Sequence, residues 1–436
     1  MKRREFLKTA AAGVAGTAML TGLNETIKAA EPNPTEKVRV GFIGIGGRGT
    51  DHLRTLIGFP EVEAVAVCDL FKEKTEIAAK ICIDTGHPAP KLYFESDTAW
   101  QSLLEKEKLD LVIITTNWES HAAISEAALK KGIYVGCEVP IALSVEECWK
   151  LVEASEQNKT PCMMLENWSF RRDNLAVLNM IRLGMLGEIL HAHGAYSHDA
   201  RSYWFDQNGN TRWHGEHFLK ENRSFYSTHG LGPIISWLDI NVGDRFTELY
   251  AVATAARGAN SYIKQKFGPD HPNAQKEFKQ GDIVTCLLKT AKGKSVVLNC
   301  DTLLPRPYAN RWMVQGTLGI YDEEKASIYL DGVSPKEHQW EPWKPYAEKY
   351  DHRYWKDVSN DSGGHGNEDR MELRLLIDAV KSKNGVPLDV YDSVTMSAVI
   401  GLSEMSIEQD KPIEFPDFTK GHWKDRKPYF AIDRML

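Results

Sequence analysis

The 436-residue sequence predicts an α/β protein with two domains. Apolar strand-like segments alternate with helical segments from residue 38 to about 165, which is the pattern of a doubly wound parallel sheet. Beyond residue 166, strand-like segments follow one another with few helices, which indicates a large, mostly antiparallel sheet. A glycine-rich turn directly after the first strand favours the Rossmann class. We therefore predict a Rossmann domain over 36–166 and a second α/β domain over 167–436.

Each element of the first domain follows from its apolar pattern. The predicted strands are 38–43, 64–68, 109–115, 133–137 and 161–165. The predicted helices are 51–56, 72–85, 98–106, 120–131 and 144–158. Ser144 and Glu147 have the spacing of a capping box, which supports a helix start at 144.

The second domain begins with a helix and continues mainly in strands. The helix is predicted at 174–183, and the strands at 189–196, 247–254, 282–290, 295–301 and 311–316. Two further helices are predicted at 368–381 and 389–408. We expect this helical region, about 365–410, to pack back on the first domain. The polar and aromatic stretch 206–223 is predicted to be a surface loop. The stretch 335–355, rich in Trp, Tyr, Lys and Pro, is predicted to cover a site.

The turn after the first strand carries a nucleotide-binding pattern. Gly44, Gly46 and Gly49 fill G-x-G-x-x-G, which supplies a tight turn, close backbone approach to a pyrophosphate and close helix–strand packing. Asp69 ends the second strand, where a carboxylate accepts hydrogen bonds from ribose hydroxyls and repels a 2′-phosphate. We therefore predict NAD as the cofactor, the alternative being a purely structural turn. The predicted ligands are Gly44, Gly46, Gly47, Arg48, Gly49 and Asp69.

Residues that follow the next three strands are candidates for the nicotinamide end of the cofactor. The carboxyl ends of parallel strands meet at one edge of the sheet, where ligands bind. We expect contacts from Asn117, Trp118, Glu119, Ser120, His121, Glu138, Val139 and Asn167. The alternative is that these residues cap helices, a role that Ser120 fills equally well.

The charge distribution argues against a nucleic-acid partner. The formal net charge is −7, and acidic and basic residues are interspersed without a basic stripe.

The first thirty residues have the features of an export signal. Arg3 and Arg4 precede Phe6, and a mildly apolar, Ala- and Gly-rich run extends from 9 to about 23. This run is too short and too glycine-rich for a membrane-spanning helix. We predict a twin-arginine signal over 1–30 and a periplasmic location; the alternative is a signal for the unfolded-chain pathway.

Cysteine and histidine spacing gives no support for a metal site. The seven cysteines are odd in number and form no C-x-x-C pair, so buried free thiols are expected. His191 and His193 share one face of a strand and lie near His198, but no carboxylate or cysteine with ligand spacing accompanies them.

At this point the chain resembles the Gfo/Idh/MocA oxidoreductase superfamily. Most members have Glu-Lys-Pro after the fourth or fifth strand, and that lysine serves sugar dehydrogenation. This chain has Glu138, Val139 and Pro140 instead, and valine neither donates nor accepts a proton. Ordinary dehydrogenation through that lysine is therefore disfavoured.

The second domain narrows the resemblance to glycoside hydrolase family 109. The matching segments are GEILHAHGAYSHD (187–199), YSTHGLGP (226–233), DINVGDR (239–245), PRPY (305–308), QGT (315–317), GGHG (363–366) and VYD (390–392). The resemblance covers almost the whole chain after the signal. It implies an NAD-dependent glycosidase like the family's α-N-acetylgalactosaminidases, with an open sheet, a carbohydrate substrate and a homo-oligomer, by resemblance a dimer.

The resemblance also implies the chemistry. The sugar is oxidised at C3, the aglycone is eliminated across C1–C2, water adds at C1, and C3 is reduced again. We expect His229 to act as acid and base, together with Tyr226. The predicted substrate contacts are Tyr196, Tyr226, Ser227, Thr228, His229 and Tyr308. The alternatives are a structural histidine in a glycine-rich turn and tyrosines that fill the core.

The chain departs from the family pattern at three positions. Phe170 stands at or near the position of a functional tyrosine, His214 follows Trp213 where an arginine is usual, and Val242 replaces another arginine. These departures bear on the specificity for N-acetylgalactosamine and on the preference for an α-linkage. Two other functions remain open: a periplasmic NAD-dependent sugar oxidoreductase and a non-catalytic sugar-binding protein.

Overall fold

The structure is a computed structural model that describes residues 37–356, 358 and 367–432. Its first sheet contains the strands β1 (Val38–Ile43), β2 (Val62–Cys68), β3 (Lys91–Tyr93), β4 (Leu111–Ile114), β5 (Tyr134–Glu138) and β6 (Cys162–Leu165). They lie in the order β3-β2-β1-β4-β5-β6, and each neighbouring pair is parallel. The strand order reverses between β1 and β4, which places a ligand crevice at their carboxyl ends. The predicted doubly wound sheet is confirmed.

Five helices connect these strands. They are α1 (Gly47–Ile57), α2 (Lys72–Asp84), α3 (Ala99–Lys106), α4 (Trp118–Lys130) and α5 (Val145–Asn158). The capping box of Ser144 and Glu147 is present at the start of α5. The first helix begins at Gly47, not at 51, because the end of the glycine-rich turn is itself the first helical turn.

The second sheet has nine strands. They are β7 (Ile189–Ser197), β8 (Phe246–Ala253), β9 (Ile283–Thr290), β10 (Ser295–Asp301), β11 (Met313–Gly316), β12 (Gly319–Asp322), β13 (Ser327–Leu330), β14 (Glu341–Pro342) and β15 (Ile413–Glu414). Their order is β14-β13-β12-β11-β7-β10-β9-β8-β15. The β7–β10 pair is parallel and its neighbours are antiparallel, so the predicted mostly antiparallel sheet is confirmed.

The helices of the second half complete the fold. They are α6 (Arg172–Arg182), α7 (Arg201–Trp204), α8 (Trp213–Lys220), α9 (Ser227–Trp237), α10 (Gly258–Phe267), α11 (Pro272–Gln275), α12 (Lys344–Lys349), α13 (Asn367–Ser382) and α14 (Val390–Gln409). A short 3-10 turn, Asn167–Phe170, follows β6 and leads into α6.

The stretch 206–223 is not only a loop, and that prediction was wrong. It contains α8, whose Phe218 is 2% exposed and packs against Trp204 and Phe225 with ring centroids 5.3 Å apart in both cases. Burial of one aromatic side chain therefore holds a helix in a stretch that otherwise has the composition of a loop.

The glycine-rich turn expected around 226–233 is also different in the structure, because these residues begin α9. A Cβ atom on Gly230 would lie 2.9 Å from the backbone nitrogen of Ala195 in β7. Glycine is thus needed here for the close approach of a helix to a strand, not for a turn.

The last two helices lie against the first domain. Helix α13 packs on α1 and on the 3-10 turn, and α14 packs on α5, β6, β8 and α9. Serines of α14 accept hydrogen bonds from backbone N–H groups of both halves: Ser393 from Met164 at 2.9 Å and Ser406 from Ala251 at 2.9 Å. Helix α14 is therefore a shared core element of the two sheets.

All seven cysteines are buried and free, as predicted. Within the described ranges, no helix is long and apolar enough to cross a membrane, and no group of metal-ligating side chains is found. The predicted signal at 1–30 and the GGHG segment lie outside the described residues.

Candidate active site

The glycine-rich loop is packed tightly against the sheet on one side and faces open space on the other. A Cβ on Gly49 would lie 2.1 Å from the carbonyl oxygen of Gly44, and one on Gly44, at φ +91°, would lie 2.6 Å from the backbone of Thr115. A Cβ on Gly46 or Gly47 would meet nothing within 4 Å. This is the geometry that a dinucleotide pyrophosphate requires: backbone pinned to the sheet, with free space over the first N–H groups of α1.

Asp69 is held at the end of β2 by the same loop. Its Oδ2 accepts a hydrogen bond from the backbone N–H of Ile45 at 2.6 Å, and its Oδ1 accepts one from Phe71 at 3.0 Å. The carboxylate is half-buried and retains further acceptor positions. It therefore fits the ribose-binding role predicted for it.

Arg48 turns inward from α1 and joins three elements. Its Nε donates to Oε1 of Glu138 at 2.8 Å, and its NH1 nitrogen donates to Oδ2 of Asp369 on α13 at 2.6 Å. The buried ring of His52 also contacts Oε1 of Glu138, at 2.7 Å. Burial alone would lower the pKa of Arg48, but the two carboxylates outweigh it and hold that pKa above its ordinary value.

Glu138 is the carboxylate at the centre of this network. Burial would raise the pKa of Glu138, but Arg48 and His52 hold it well below its usual range, so the group is ionised. Next to it, Val139 is 5% exposed. The sequence predicted Arg48 and Glu138 but not His52 or Asp369. The spacing of Arg48 and His52, one helical turn apart, is the signal that could have revealed His52.

The residues that follow β4 divide into exposed and buried ones. Asn117 and Glu119 are exposed and hydrogen-bonded to each other at 2.8 Å, and the Ser120 hydroxyl donates to Oδ1 of Asn117 at 2.7 Å. Both ring nitrogens of the buried His121 face backbone carbonyls, those of Pro140 at 2.8 Å and Thr116 at 3.0 Å. Burial lowers the pKa of His121 in spite of these two contacts. Both ring nitrogens of His121 are thus engaged by the backbone of the protein and not directed at a cofactor site.

Two further predicted cofactor residues are buried among protein contacts. Trp118 is 3% exposed and packs its ring 5.5 Å from that of Tyr226. The Asn167 amide donates to Oδ1 of Asp369 at 2.7 Å. Asp369 therefore binds both the loop helix and the turn that follows β6.

His229 lies on α9 beside a buried carboxylate. Its Nδ1 is 2.8 Å from Oε2 of Glu166, which directly follows β6 and is 0% exposed. The two atoms are close enough for an ion pair, but their alignment does not meet the geometry of a hydrogen bond. Neither Nδ1 of His229 nor Oε2 of Glu166 has another hydrogen-bond partner among the residues that the structure describes. The other oxygen of Glu166 accepts from the backbone N–H of Trp168 at 3.1 Å, which fixes the carboxylate.

Aromatic rings surround His229. The ring of Tyr196 stacks on that of Tyr226 at 4.6 Å and lies 5.0 Å from His229. The ring of Trp168 lies 6.2 Å from His229 and 6.1 Å from Tyr308, which is 46% exposed. Burial raises the pKa of Tyr196 and of Tyr226 well above the ordinary value, so both phenols keep their protons. The structure thus brings together the four ring residues that the sequence proposed for the substrate site: Tyr196, Tyr226, His229 and Tyr308.

The two hydroxyl residues between Tyr226 and His229 are more deeply placed. Ser227 and Thr228 are both 0% exposed. The Ser227 hydroxyl donates to the carbonyl of Ser224 at 3.2 Å, so it stabilises the start of α9.

Comparison with known proteins relates both halves of the chain to described families. The profile described as "Oxidoreductase family, NAD-binding Rossmann fold" matches residues 38–166. The profile described as "Glycosyl hydrolase 109, C-terminal domain" matches residues 170–425. A "Glycosyl hydrolase family 109 protein" of Stenotrophomonas maltophilia is 40% identical, with 99% of each chain covered. An "Alpha-N-acetylgalactosaminidase" of Tannerella forsythia is 37% identical, again with 99% of each chain covered.

The chain belongs to glycosyl hydrolase family 109. It is a glycosidase with an NAD-binding Rossmann domain.

Solved structures share the fold of this family 109 enzyme. A levoglucosan dehydrogenase in complex with NADH and levoglucosan aligns with a TM-score of 0.66 at 19% identity, covering 88% of this chain and 100% of that one. An oxidoreductase domain protein from Kribbella flavida aligns with a TM-score of 0.66 at 18% identity, with the same coverage.

The three departures from the family 109 pattern lie in different surroundings. Phe170 is 0% exposed and packs against Phe430 at 5.3 Å between ring centroids, so it faces the core. His214 on α8 stacks on Trp213, and burial, with His217 and Arg212 nearby, lowers the pKa of His214 to about 3. Its ring lies 5.2 Å from that of Trp118, which touches Tyr226.

The third departure is not next to the aromatic rings. Val242 lines a separate cleft of about 480 Å³ with Lys292, Trp423 and Arg426. Among the three positions, only that of His214 is connected through one ring to the predicted substrate residues.

A larger cavity of the family 109 enzyme lies on the other side of Trp168. It has a volume of about 560 Å³ and is lined by Trp168, Arg171, Arg172, Asp173, Lys344, Ala347, Glu348, Trp355, Asn367 and Glu368. Helix α12, from the stretch predicted to cover a site, forms part of its wall.

Arg171 forms the inner wall of this cavity. Its guanidinium lies 5.0 Å from the ring of Trp168 and 4.9 Å from that of Trp312, and it pairs with Asp173 at 2.6 Å and Glu323 at 3.4 Å. Burial raises the pKa of Glu323 to about 7, with Arg171 opposing the shift and Asp173 adding to it. Glu323, a carboxyl with this raised pKa, is thus paired with an arginine of the cavity wall.

Proposed function

We propose that the protein hydrolyses an α-N-acetylgalactosaminide-like glycoside through temporary oxidation of the sugar at C3. The names of the relatives from Tannerella forsythia and Shewanella oneidensis support this substrate class. The observation that carries the proposal is the contact of His229 with the buried Glu166, within the ring cluster at the carboxyl edge of the first sheet.

Gly44, Gly46, Gly47 and Asp69 would hold NAD, which would supply the hydride chemistry at C3 when bound. The residues of the chain handle the protons. His229 takes the proton of the C3 hydroxyl, and Glu166 orients the ring and stabilises the imidazolium that forms. Val139 has no proton to exchange, so this role falls to the imidazole.

The tyrosines act as hydrogen-bond donors. Since burial raises the pKa of Tyr226, its phenol is protonated at working pH and donates to an oxygen of the sugar. In this proposal the exposed side of Tyr308 contacts the leaving group, which its 46% exposure within the ring cluster supports. The cavity beyond Trp168 has room for the rest of the glycoside.

The experiment is turnover in deuterated water with the nucleotide retained on the protein. The C2 proton is acidified once C3 is a ketone, so we expect deuterium at C2 of the released sugar and no net accumulation of NADH. Product without label at C2 would exclude elimination. Stoichiometric NADH would instead identify a sugar oxidoreductase. Sugar binding without any cleavage would identify a binding protein.

We also propose export of the folded protein through residues 1–30. The paired Arg3 and Arg4 support a twin-arginine route, which carries folded proteins with their cofactors. Replacing both arginines with lysine should retain the protein in the cytoplasmic fraction. Unchanged export would favour the unfolded-chain route.

A further inference from the structure

Glu372 is a buried acid for which the reaction above has no use. It lies on α13 and is 0% exposed. Neither of its carboxyl oxygens has a hydrogen-bond partner within the described part of the chain. A polar group left in this state costs free energy, and in native structures such groups are rare and commonly functional.

The surroundings of Glu372 are mostly acidic. Asp369 precedes it by one turn of α13, and the pKa of Glu372 is also affected by the charges of Glu138 on β5 and Glu166 directly after β6, opposed by Arg48 of α1. Beyond these, His52 contacts Glu138 and His229 contacts Glu166. Burial, followed by these three carboxylates, raises the pKa of Glu372 well above its ordinary value. The protonated, neutral form of Glu372 is therefore favoured.

The position of Glu372 matters because the carboxylates around it lie at the cofactor-binding edge of the first sheet. Glu138 ends β5 and Glu166 directly follows the neighbouring parallel strand β6, at the edge of the sheet where the nicotinamide end of a dinucleotide lies in this fold. The oxidised nicotinamide ring carries a positive charge that the reduced ring lacks. The charge of nearby carboxylates therefore affects the two forms differently.

We propose that Glu372 is a positioning residue for the cofactor, whose proton sets the preference of the site for oxidised over reduced nicotinamide. With the proton in place, the acidic group of Glu138, Glu166, Asp369 and Glu372 carries one negative charge fewer, and the reduced form is retained more readily. Loss of the proton favours the oxidised form. The proposal depends on NAD binding and not on the hydrolytic reaction.

The test uses the full-length protein equilibrated with an equimolar excess of NAD⁺ and NADH between pH 6 and pH 9. After separation and denaturation, the bound nucleotides are quantified. In the wild type the bound ratio of NAD⁺ to NADH should rise about tenfold as Glu372 ionises, the size expected for one charge at about 12 Å and an effective dielectric constant of about 20. Glu372→Gln keeps the shape and cannot ionise, so its ratio should stay flat. Asp378→Asn, on the exposed side of the same helix, should follow the wild type.

Two results would overturn the proposal: a flat ratio in the wild type, or an unchanged rise in Glu372→Gln. Thermal melting verifies that the variant is folded, and Glu372→Met serves as a second variant that cannot ionise. If neither variant folds, the same measurement of the bound NAD⁺ to NADH ratio is made on His229→Asn. A rise that persists without this imidazole supports Glu372, and a rise that disappears assigns the effect to His229.

Discussion

His229 shows how a single contact gives a residue its chemistry. Its ring is buried, and a fully buried carboxylate lies 2.8 Å from Nδ1. Such a carboxylate fixes the ring orientation and stabilises the charge that the ring acquires with a proton.

His229→Asn should lower kcat by about 10²–10⁴-fold, the usual contribution of a general acid–base residue. Glu166→Gln should have a smaller effect, at least about tenfold, because the imidazole remains but is less stabilised when charged. Both variants should retain NAD, which mass spectrometry of the released nucleotide can verify. His191→Asn is the control: that ring pairs with Ser295 on the second sheet. A His229→Asn enzyme with near-normal kcat would contradict the assignment.

A second prediction at this scale concerns the pH dependence of stability. The pKa of Glu323 rises from 4.5 to about 7 on folding. The folded protein therefore keeps a proton that the unfolded chain loses. The contribution of Glu323 to the free energy of unfolding is fully present below about pH 4.5. It is lost as the pH rises through 7, which lowers the free energy of unfolding by about 3 kcal/mol in total.

Glu323→Gln should remove this part of the pH dependence in denaturant unfolding at pH 5 and pH 8. Glu324→Gln is the matched control, since its side chain is 51% exposed. Equal slopes in the wild type and in Glu323→Gln would show that other groups are responsible.

At the scale of elements, the glycine-rich loop offers a matched pair of substitutions. Gly49→Ala would place a Cβ atom 2.1 Å from the Gly44 carbonyl, so the loop must move and both stability and NAD binding should fall. Gly46→Ala meets nothing within 4 Å, so the fold should be unchanged. NAD affinity should still drop, by about tenfold or more, because the new methyl group enters the pyrophosphate space.

Melting temperature and NAD titration together separate the two effects. Gly385→Ala, also in open space but in the loop before α14, should change neither. If Gly46→Ala binds NAD normally, the pyrophosphate does not lie over this part of the loop.

The elements also show what the sequence could predict. The first sheet was predictable because each strand and each helix has its own local apolar period. The prediction was wrong for α8 and for α9, where Phe218 and Gly230 pack against residues outside their own segments, Trp204 and Ala195 of β7. His229, Tyr226 and Tyr308 were recognised through a family resemblance. The contacts of Glu166 with His229 and of Arg48 with Asp369 depend on tertiary packing, which no local pattern contains.

At the scale of the whole molecule, the second sheet carries an exposed apolar row on one face. Tyr250, Leu287 and Val297 are cross-strand neighbours on β8, β9 and β10, and Leu287 is 51% exposed. His191 and His193 lie on β7 next to this row, and each hydrogen-bonds to β10. An apolar row on an exposed sheet is typical of a protein interface.

We expect a dimer in solution that Leu287→Asp converts to a monomer, because a charge cannot be buried there without a partner. Light scattering after size-exclusion chromatography measures the mass directly. Val333→Asp, at a position that is 62% exposed on a turn, should leave the dimer intact. A monomeric wild type would contradict the prediction.

The bond between Arg48 and Asp369 has a consequence for the order of events during synthesis. Arg48 belongs to α1, near residue 50, and Asp369 to α13, more than 300 residues later. A nascent chain on the ribosome can complete the parallel sheet long before α13 has been translated. Until then Arg48 and Asn167 lack the carboxylate that joins them, and this end of the crevice is unfinished. The enzyme should therefore acquire its nucleotide as a full-length chain and not while it is still being translated.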